Sequence, residues 1–278
     1  MSSRSLAVAT LLLALTGCGT ASGPLRAVPT PTISADPMGL VGMWQVRVDD
    51  RTIGVLRLGG EAAFFGDCGA FEGDWFATHG GGFLTQPRRA QGCDEPPTWL
   101  QLAQGYRVDG HDRLLVDADG KQLARLSPGG HPVVPAHMNA SYYGSVPTPY
   151  PGQAERSAEP APLPAGVEPI TEAVLQAHLW RSPTAPKAFL TFSATGDYRG
   201  SNGCTLVGGR YSVGGAGELL AVGLPVDAVT CGYMSNASVW LVQGGRLGIA
   251  DGQLAFFAKD GHERGRYLPE PLPTPSSS

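Results

Sequence analysis

The sequence predicts an α+β protein of two tandem small domains, each an antiparallel β-sheet or partial barrel with one short covering helix and one intradomain disulfide. Three observations predict it. Rare residues recur in the same order in both halves of the chain, apolar and polar residues alternate with the strand period, and an even set of cysteines remains once Cys18, at the end of an amino-terminal signal, is set aside.

The signal comes first. Arg4 supplies a charged start, and Leu6–Leu15 is an apolar run. It is too short to span a bilayer core as a helix, which needs roughly 17–25 apolar residues. It fits a cleavable export signal over residues 1–17. The run ends in Leu15-Thr16-Gly17-Cys18, the Leu-small-small-Cys pattern of a bacterial lipobox. Small residues let the extended backbone enter a narrow peptidase site, and the Cys18 thiol takes a diacylglyceryl group. Two acyl chains anchor stably where one does so only marginally. The expected location is therefore the extracytoplasmic face of a cell membrane, with the membrane as a partner through diacylglyceryl-Cys18. A plain secretory signal with an incidental cysteine, or an uncleaved anchor, is the alternative.

The repeat comes next. Trp44 and Trp180 open the two copies, and Cys68 and Cys204 follow at equal separation. Cys68-Gly69 leads to Gly73-Asp74-Trp75, and Cys204 leads to Gly209-Arg210-Tyr211. Second cysteines, Cys93 and Cys231, precede Trp99-Leu100 and Trp240-Leu241, and each copy ends with Asp119-Gly120 or Asp260-Gly261. Copies that fold by the same rules should pair Cys68 with Cys93 and Cys204 with Cys231, which leaves Cys18 for lipid. Closing loops of this length adds about 3–4 kcal/mol in the chain-entropy model.

Strand alternation is clearest at Trp44, Val46 and Val48, with Gln45, Arg47 and Asp49 on the other face. Further strands are expected at 53–58, 61–65 and 71–76, and in the second copy at 188–192, 210–213 and 218–222. After the second cysteine the spacing becomes helical. Trp99, Leu102 and Ala103 stand at i, i+3 and i+4, as do Ala237, Trp240 and Leu241 behind possible caps at Ser235 and Asn236. Closing strands follow at 113–116 and 122–126, and at 246–249 and 253–258. The resulting organisation is signal 1–17, tether 18–38, first domain 39–128, proline-rich linker 129–166, second domain 167–268 and tail 269–278. Proline-rich segments are semi-extended, so the linker is expected to space the domains. Tyr142, Tyr143 and Tyr150 in it are expected to be solvated.

At these residues the chain resembles the META-domain family, the HslJ-like envelope proteins. Leu40-Val41-Gly42-Met43-Trp44 matches the family's opening Leu-x-Gly-x-Trp. Gly203-Cys204 with Gly209-Arg210-Tyr211 matches its Gly-Cys-Asn block and following Gly-x-Tyr, and Cys93 and Cys231 match its second cysteine. The family asparagine is replaced by Gly69 and Thr205, its tyrosine by Trp75 in the first copy, and the opening glycine is missing before Trp180. The resemblance implies a small envelope-associated domain, linked in some members to stress tolerance, with no catalytic residues to carry over.

Composition narrows the function. A net charge of −4 with no basic block gives no reason to expect a nucleic-acid partner. The chain lacks CxxC and HExxH, and its six histidines do not recur between copies, so no metal site is assigned. It also lacks GxSxG, P-loop, GxGxxG and SxxK patterns, so no catalytic residue and no cofactor are assigned. Asp109, Asp112, Asp117 and Asp119 flank Gly110 and Gly120 and read as turn residues. The leading expectation is a non-catalytic envelope module that binds a protein or other envelope component. An envelope hydrolase with an unfamiliar site and a structural spacer are the alternatives.

Overall fold

The computed structural model describes residues 36–149, 151–223 and 237–273. Its regular structure is mostly antiparallel β, in two sheets, with a small helical content. The first contains β1 (Gly42–Val48), β2 (Arg51–Leu58), β3 (Ala62–Gly66), β4 (Gly69–Ala77), β5 (Phe83–Gln91), then helix α1 (Thr98–Leu102), then β6 (Gly105–Asp109), β7 (Asp112–Val116) and β8 (Gln122–Pro128). The intervening segment holds two short helices, α2 (Ala140–Tyr143) and α3 (Pro151–Ser157), and the two-residue strand β9 (Glu168–Pro169). Helix α4 (Glu172–Gln176) leads into the second sheet, with β10 (His178–Arg181), β11 (Ala188–Phe192), β12 (Asp197–Asn202), β13 (Leu206–Val213) and β14 (Glu218–Gly223). Helix α5 (Ala237–Gln243) precedes β15 (Gly245–Ala250), β16 (Gln253–Phe257) and β17 (Glu263–Pro271).

The two sheets share one topology. The first runs β5-β4-β3-β2-β1-β8-β7-β6, and the second runs β14-β13-β12-β11-β10-β17-β16-β15, with β9 added beyond β15. In both, the last strand returns beside the first. The second sheet also pairs β14 with β15, through Glu218↔Arg246 and Leu219↔Gly245, and so closes into an eight-stranded barrel. The first stays a half-barrel, with only the isolated bridge Gly82↔Gly105 across the gap.

The register makes the correspondence residue-specific. Trp44 faces Leu56 on one side and Pro128 on the other, while Trp180 faces Leu190 and Pro269. Each indole nitrogen donates to a carbonyl of the turn just before its strand. Trp44 Nε1 reaches Leu40 O at 2.7 Å from a 3₁₀ turn over Pro37–Leu40, and Trp180 Nε1 reaches Leu175 O at 2.8 Å from α4. Leu40 and Leu175 are themselves fully buried, so each turn plugs one end of its sheet. A second matched pair lies on the fourth strand of each copy. Trp75 Nε1 donates to Gly59 O at 2.8 Å, and the Tyr211 hydroxyl donates to Ser193 O at 2.9 Å. The Trp-for-Tyr difference therefore keeps the donor and changes only the ring that carries it. The last hairpins match as well, with Gly120 and Gly261 both at positive φ and donating to Asp117 O and Ala258 O.

Two apolar cores fill the sheets. Trp44, Leu56, Phe64, Phe83, Trp99 and Leu115 belong to the first, and Trp180, Leu190, Tyr198, Tyr211, Leu247 and Phe256 to the second. The covering-helix tryptophans sit as the helical spacing predicts. Trp99 packs edge-on against Phe64 at 5.2 Å between centroids, and Trp240 packs on Phe256 at 5.6 Å. Cys68 and Cys93 form a disulfide that ties the β3–β4 turn to the segment after β5.

Several expectations are corrected. Leu102 does not join Trp99 on the buried face: α1 is a single turn, Leu100 is buried in its place, and Leu102 is 47% exposed. Residues 129–166 are not a solvated spacer. Val134, Met138 and Tyr143 pack on Ala63, Phe65 and Ala70 of the first sheet. The buried Arg246 of the second sheet donates to Pro160 O and Ala161 O. Tyr143 donates to Glu72 and lies edge-on to Phe65, whereas Tyr142 is exposed as expected, with the Arg57 guanidinium 4.3 Å from its ring. Tyr143 and Arg57 pack because a tyrosine or arginine can bury its apolar or planar part while its polar end finds a partner. Pro269–Pro271, read as the start of a tail, pair with Trp180, Leu179 and His178. Tyr150, Ser235 and Asn236 lie outside the described residues.

Candidate binding cleft between the two sheets

The two sheets meet along the fifth strand of the first copy. Leu84, fully buried on β5, packs with Phe76, Leu220 and Val222. Polar contacts surround this apolar centre. Gln86 Nε2 donates to Gly223 O at 2.6 Å, Gln104 Nε2 to Thr195 O at 2.9 Å and Arg210 Nη2 to Ala103 O at 2.9 Å. The backbone N–H of Gly80 donates to the Glu218 carboxylate. Each bond joins one copy to the other.

Beside this seam lies a cleft of about 430 Å³, with Thr85, Pro87 and Leu102 from the first copy and Thr195, Asp197 and Arg210 from the second. That volume falls in the ordinary range for small-molecule sites, about 300–1,000 Å³. Its floor is rigid: Thr85 is buried and its hydroxyl donates to Leu100 O at 3.1 Å. Asp197 and Arg210 are direct cross-strand partners on β12 and β13, yet they are not joined as an ion pair. The Asp197 carboxylate instead accepts from the Thr195 hydroxyl at 2.8 Å. Desolvation pulls the Arg210 guanidinium below the ordinary arginine value, and the nearby Asp197 charge opposes that effect.

A second polar group sits deeper in the seam. Glu218 is 3% exposed. Burial raises its carboxyl above the usual glutamate value, against the pull of the Gly80 N–H, Arg246, His79 and the Thr78 hydroxyl. Lys259, across the same hollow, is lowered by burial while it donates to Glu155 O and Arg156 O.

No protein-family model, curated protein or solved structure matches this chain.

The sequence-predicted residues fall as follows. Cys68 and Cys93 are bonded to each other. Cys204 is also in a disulfide, and Cys231 and Cys18 lie outside the described residues. Asp109 and Asp112 both hold Arg125, at 2.8 and 2.7 Å, and Asp117 accepts from the backbone N–H groups of Asp119 and Lys121. These carboxylates thus serve turns and an ion pair. Among the described residues no group of three or more His, Cys, Asp or Glu side chains is placed to hold a metal, and no helix is long and apolar enough to cross a membrane.

The cleft residues Asp197, Arg210, Thr195 and Leu102 carry no motif. One signal was present: Arg210 sits between Gly209 and Tyr211 on a strand, where a side chain next to a core tyrosine points to the opposite face.

Proposed function

We propose that this chain is a lipid-anchored protein of the extracytoplasmic face of a cell membrane, whose two META-like copies act together as a non-catalytic binding module. The observation that carries the binding role is the cleft, whose walls come from both copies and whose charged groups are held by neighbouring backbone and hydroxyl groups. The shared strand order and matched tryptophan bonds support descent of the copies from one domain. The export signal and the lipobox ending at Cys18 support the anchor. Pairing of Cys204 with Cys231 follows if both copies keep one closure.

Two measurements test this. Cys18→Ser should release the protein from the membrane fraction with its fold, read by circular dichroism, unchanged; continued membrane residence would end the lipoprotein reading. Pull-down from envelope extracts with the released chain should recover a specific partner across growth conditions, and its absence counts against a protein-binding role.

A further inference from the structure

We propose that the cleft between the two copies binds a free α-amino acid with an apolar side chain, its carboxylate on Arg210 and its ammonium on Asp197. The inference rests on the binding-module reading and names a ligand class for it.

Opposite charges on directly paired antiparallel residues lie side by side, with Cβ atoms about 4.5–5.5 Å apart. Such neighbours commonly form a close ion pair, but Asp197 and Arg210 form none, although the Asp197 charge still acts on the guanidinium. Each is held by a neutral partner: Asp197 by the Thr195 hydroxyl and Arg210 by the Ala103 carbonyl. One Nη2 hydrogen bond leaves most of the guanidinium fork's five donors for other acceptors. The cleft thus presents a cation and an anion one strand apart. An α-amino acid carries a carboxylate and an ammonium on a single carbon, so it can meet both at once. A simple anion would meet Asp197 as a like charge, and a simple cation would meet Arg210 as one.

The opposite wall explains the apolar side chain. Pro87 and Leu102 are exposed and Pro96 is half-exposed, all from the first copy. Leu102 belongs to the one-turn helix and has left the core for this surface. An aliphatic or aromatic side chain laid on these three residues would cover them. The positions of the two walls are set by bonds that cross the seam, Gln104 to Thr195 and Arg210 to Ala103, so little reorganisation is needed on binding.

The test is calorimetric titration of the full chain in detergent with L-leucine and L-phenylalanine, and with N-acetyl-L-leucine and L-leucinamide, which each lack one of the two charges. The free amino acids should bind, and each blocked compound should bind roughly ten- to a hundredfold more weakly, the range for losing a charged hydrogen bond. Asp197→Asn should weaken L-leucine to a similar degree. That side chain is exposed and touches only its own turn, so the variant does not threaten the fold. Arg210→Gln should abolish binding, with Asp197→Asn as the safeguard if the seam loosens. No heat from either amino acid up to about 10 mM, a concentration that detects even very weak sites, would overturn the proposal. So would equal binding of N-acetyl-L-leucine, or an unchanged affinity in Asp197→Asn. Recovery of an envelope partner by pull-down is a separate readout, so failure here leaves the wider binding role to its own test.

Discussion

Replacing Cys68 and Cys93 together by serine tests whether the disulfide acts through the unfolded chain. The two residues are 25 apart in sequence. In the folded protein their neighbourhood is already fixed: β3 pairs with β4 through Gly66↔Gly69, and β4 pairs with β5 up to Ala70↔Gln91. The bond therefore adds few new native contacts, and its effect lies in the entropy it removes from the unfolded loop. For a loop of this length the chain-entropy relation gives about 3.5 kcal/mol at room temperature. With the two docked copies unfolding as one unit of more than 200 residues, that corresponds to a fall in Tm of roughly 7–14 °C. Urea titration of the oxidised wild type and of Cys68→Ser/Cys93→Ser measures the difference, and reduced wild type should resemble the variant. The denaturant slope should rise in the variant, because an uncrosslinked chain exposes more surface on unfolding. A loss below about 1 kcal/mol with an unchanged slope would refute this reasoning, since it would mean the loop is restrained without the bond.

The remaining predictions concern the matched tryptophans and the seam. Trp44→Phe and Trp180→Phe each strand a carbonyl, Leu40 O or Leu175 O, and should each cost about 1–3 kcal/mol in urea titration; a large loss in one and none in the other would break the correspondence between copies. Glu218 is raised by burial, so the folded state holds its proton more tightly than the unfolded chain, whose value is near 4.5. Stability should therefore fall as pH rises from the unfolded value through the higher folded one. Glu218→Gln keeps an acceptor for the Gly80 N–H and should remove that slope, leaving the variant at least as stable as wild type near neutral pH; unfolding curves across acid to neutral pH read both effects.

The sequence made the repeat, the first strands and the covering helices legible because each rests on a rare residue or a clear period. Trp44 with Val46, and Trp99 just after Cys93, are of that kind. The missed strands lack both signals. β5 begins with buried Phe83-Leu84-Thr85 but continues through Pro87, Arg88 and Arg89 as an edge strand. It bends where a bulge between Glu72 and Gly73 brings Gly73 opposite Pro87. β12 contains Gly200, whose Cβ would lie 2.0 Å from Phe189 O, so close strand approach replaces the alternation a pattern search needs. β17 is polar along most of its length and carries Pro269 and Pro271. The linker misled for a different reason. Its proline content describes the backbone, whereas its packing depends on Tyr143 and on carbonyls that accept from Arg246 and Lys259 far along the chain. The cleft was equally hidden, because Asp197 and Leu102 become neighbours only when two sheets meet.

The difference between the copies gives the seam its place. The second copy closes β14 onto β15 and has no free edge between its fifth and sixth strands. The first copy stops at one bridge, Gly82↔Gly105, and leaves most of β5 unpaired on that side. An exposed strand edge attracts further pairing and has to be covered. Here it is covered by the second copy, which sets Leu220 and Val222 against Leu84 and sends Gly223 O to Gln86 beside it. Copies that closed alike would offer each other only barrel walls. Incomplete closure of the first gives the second a site to dock, and the cleft containing Arg210 and Asp197 forms where that docking runs past the end of α1. The proposed binding site is then a property of the asymmetry, because neither copy alone supplies both the charged strand and the apolar wall.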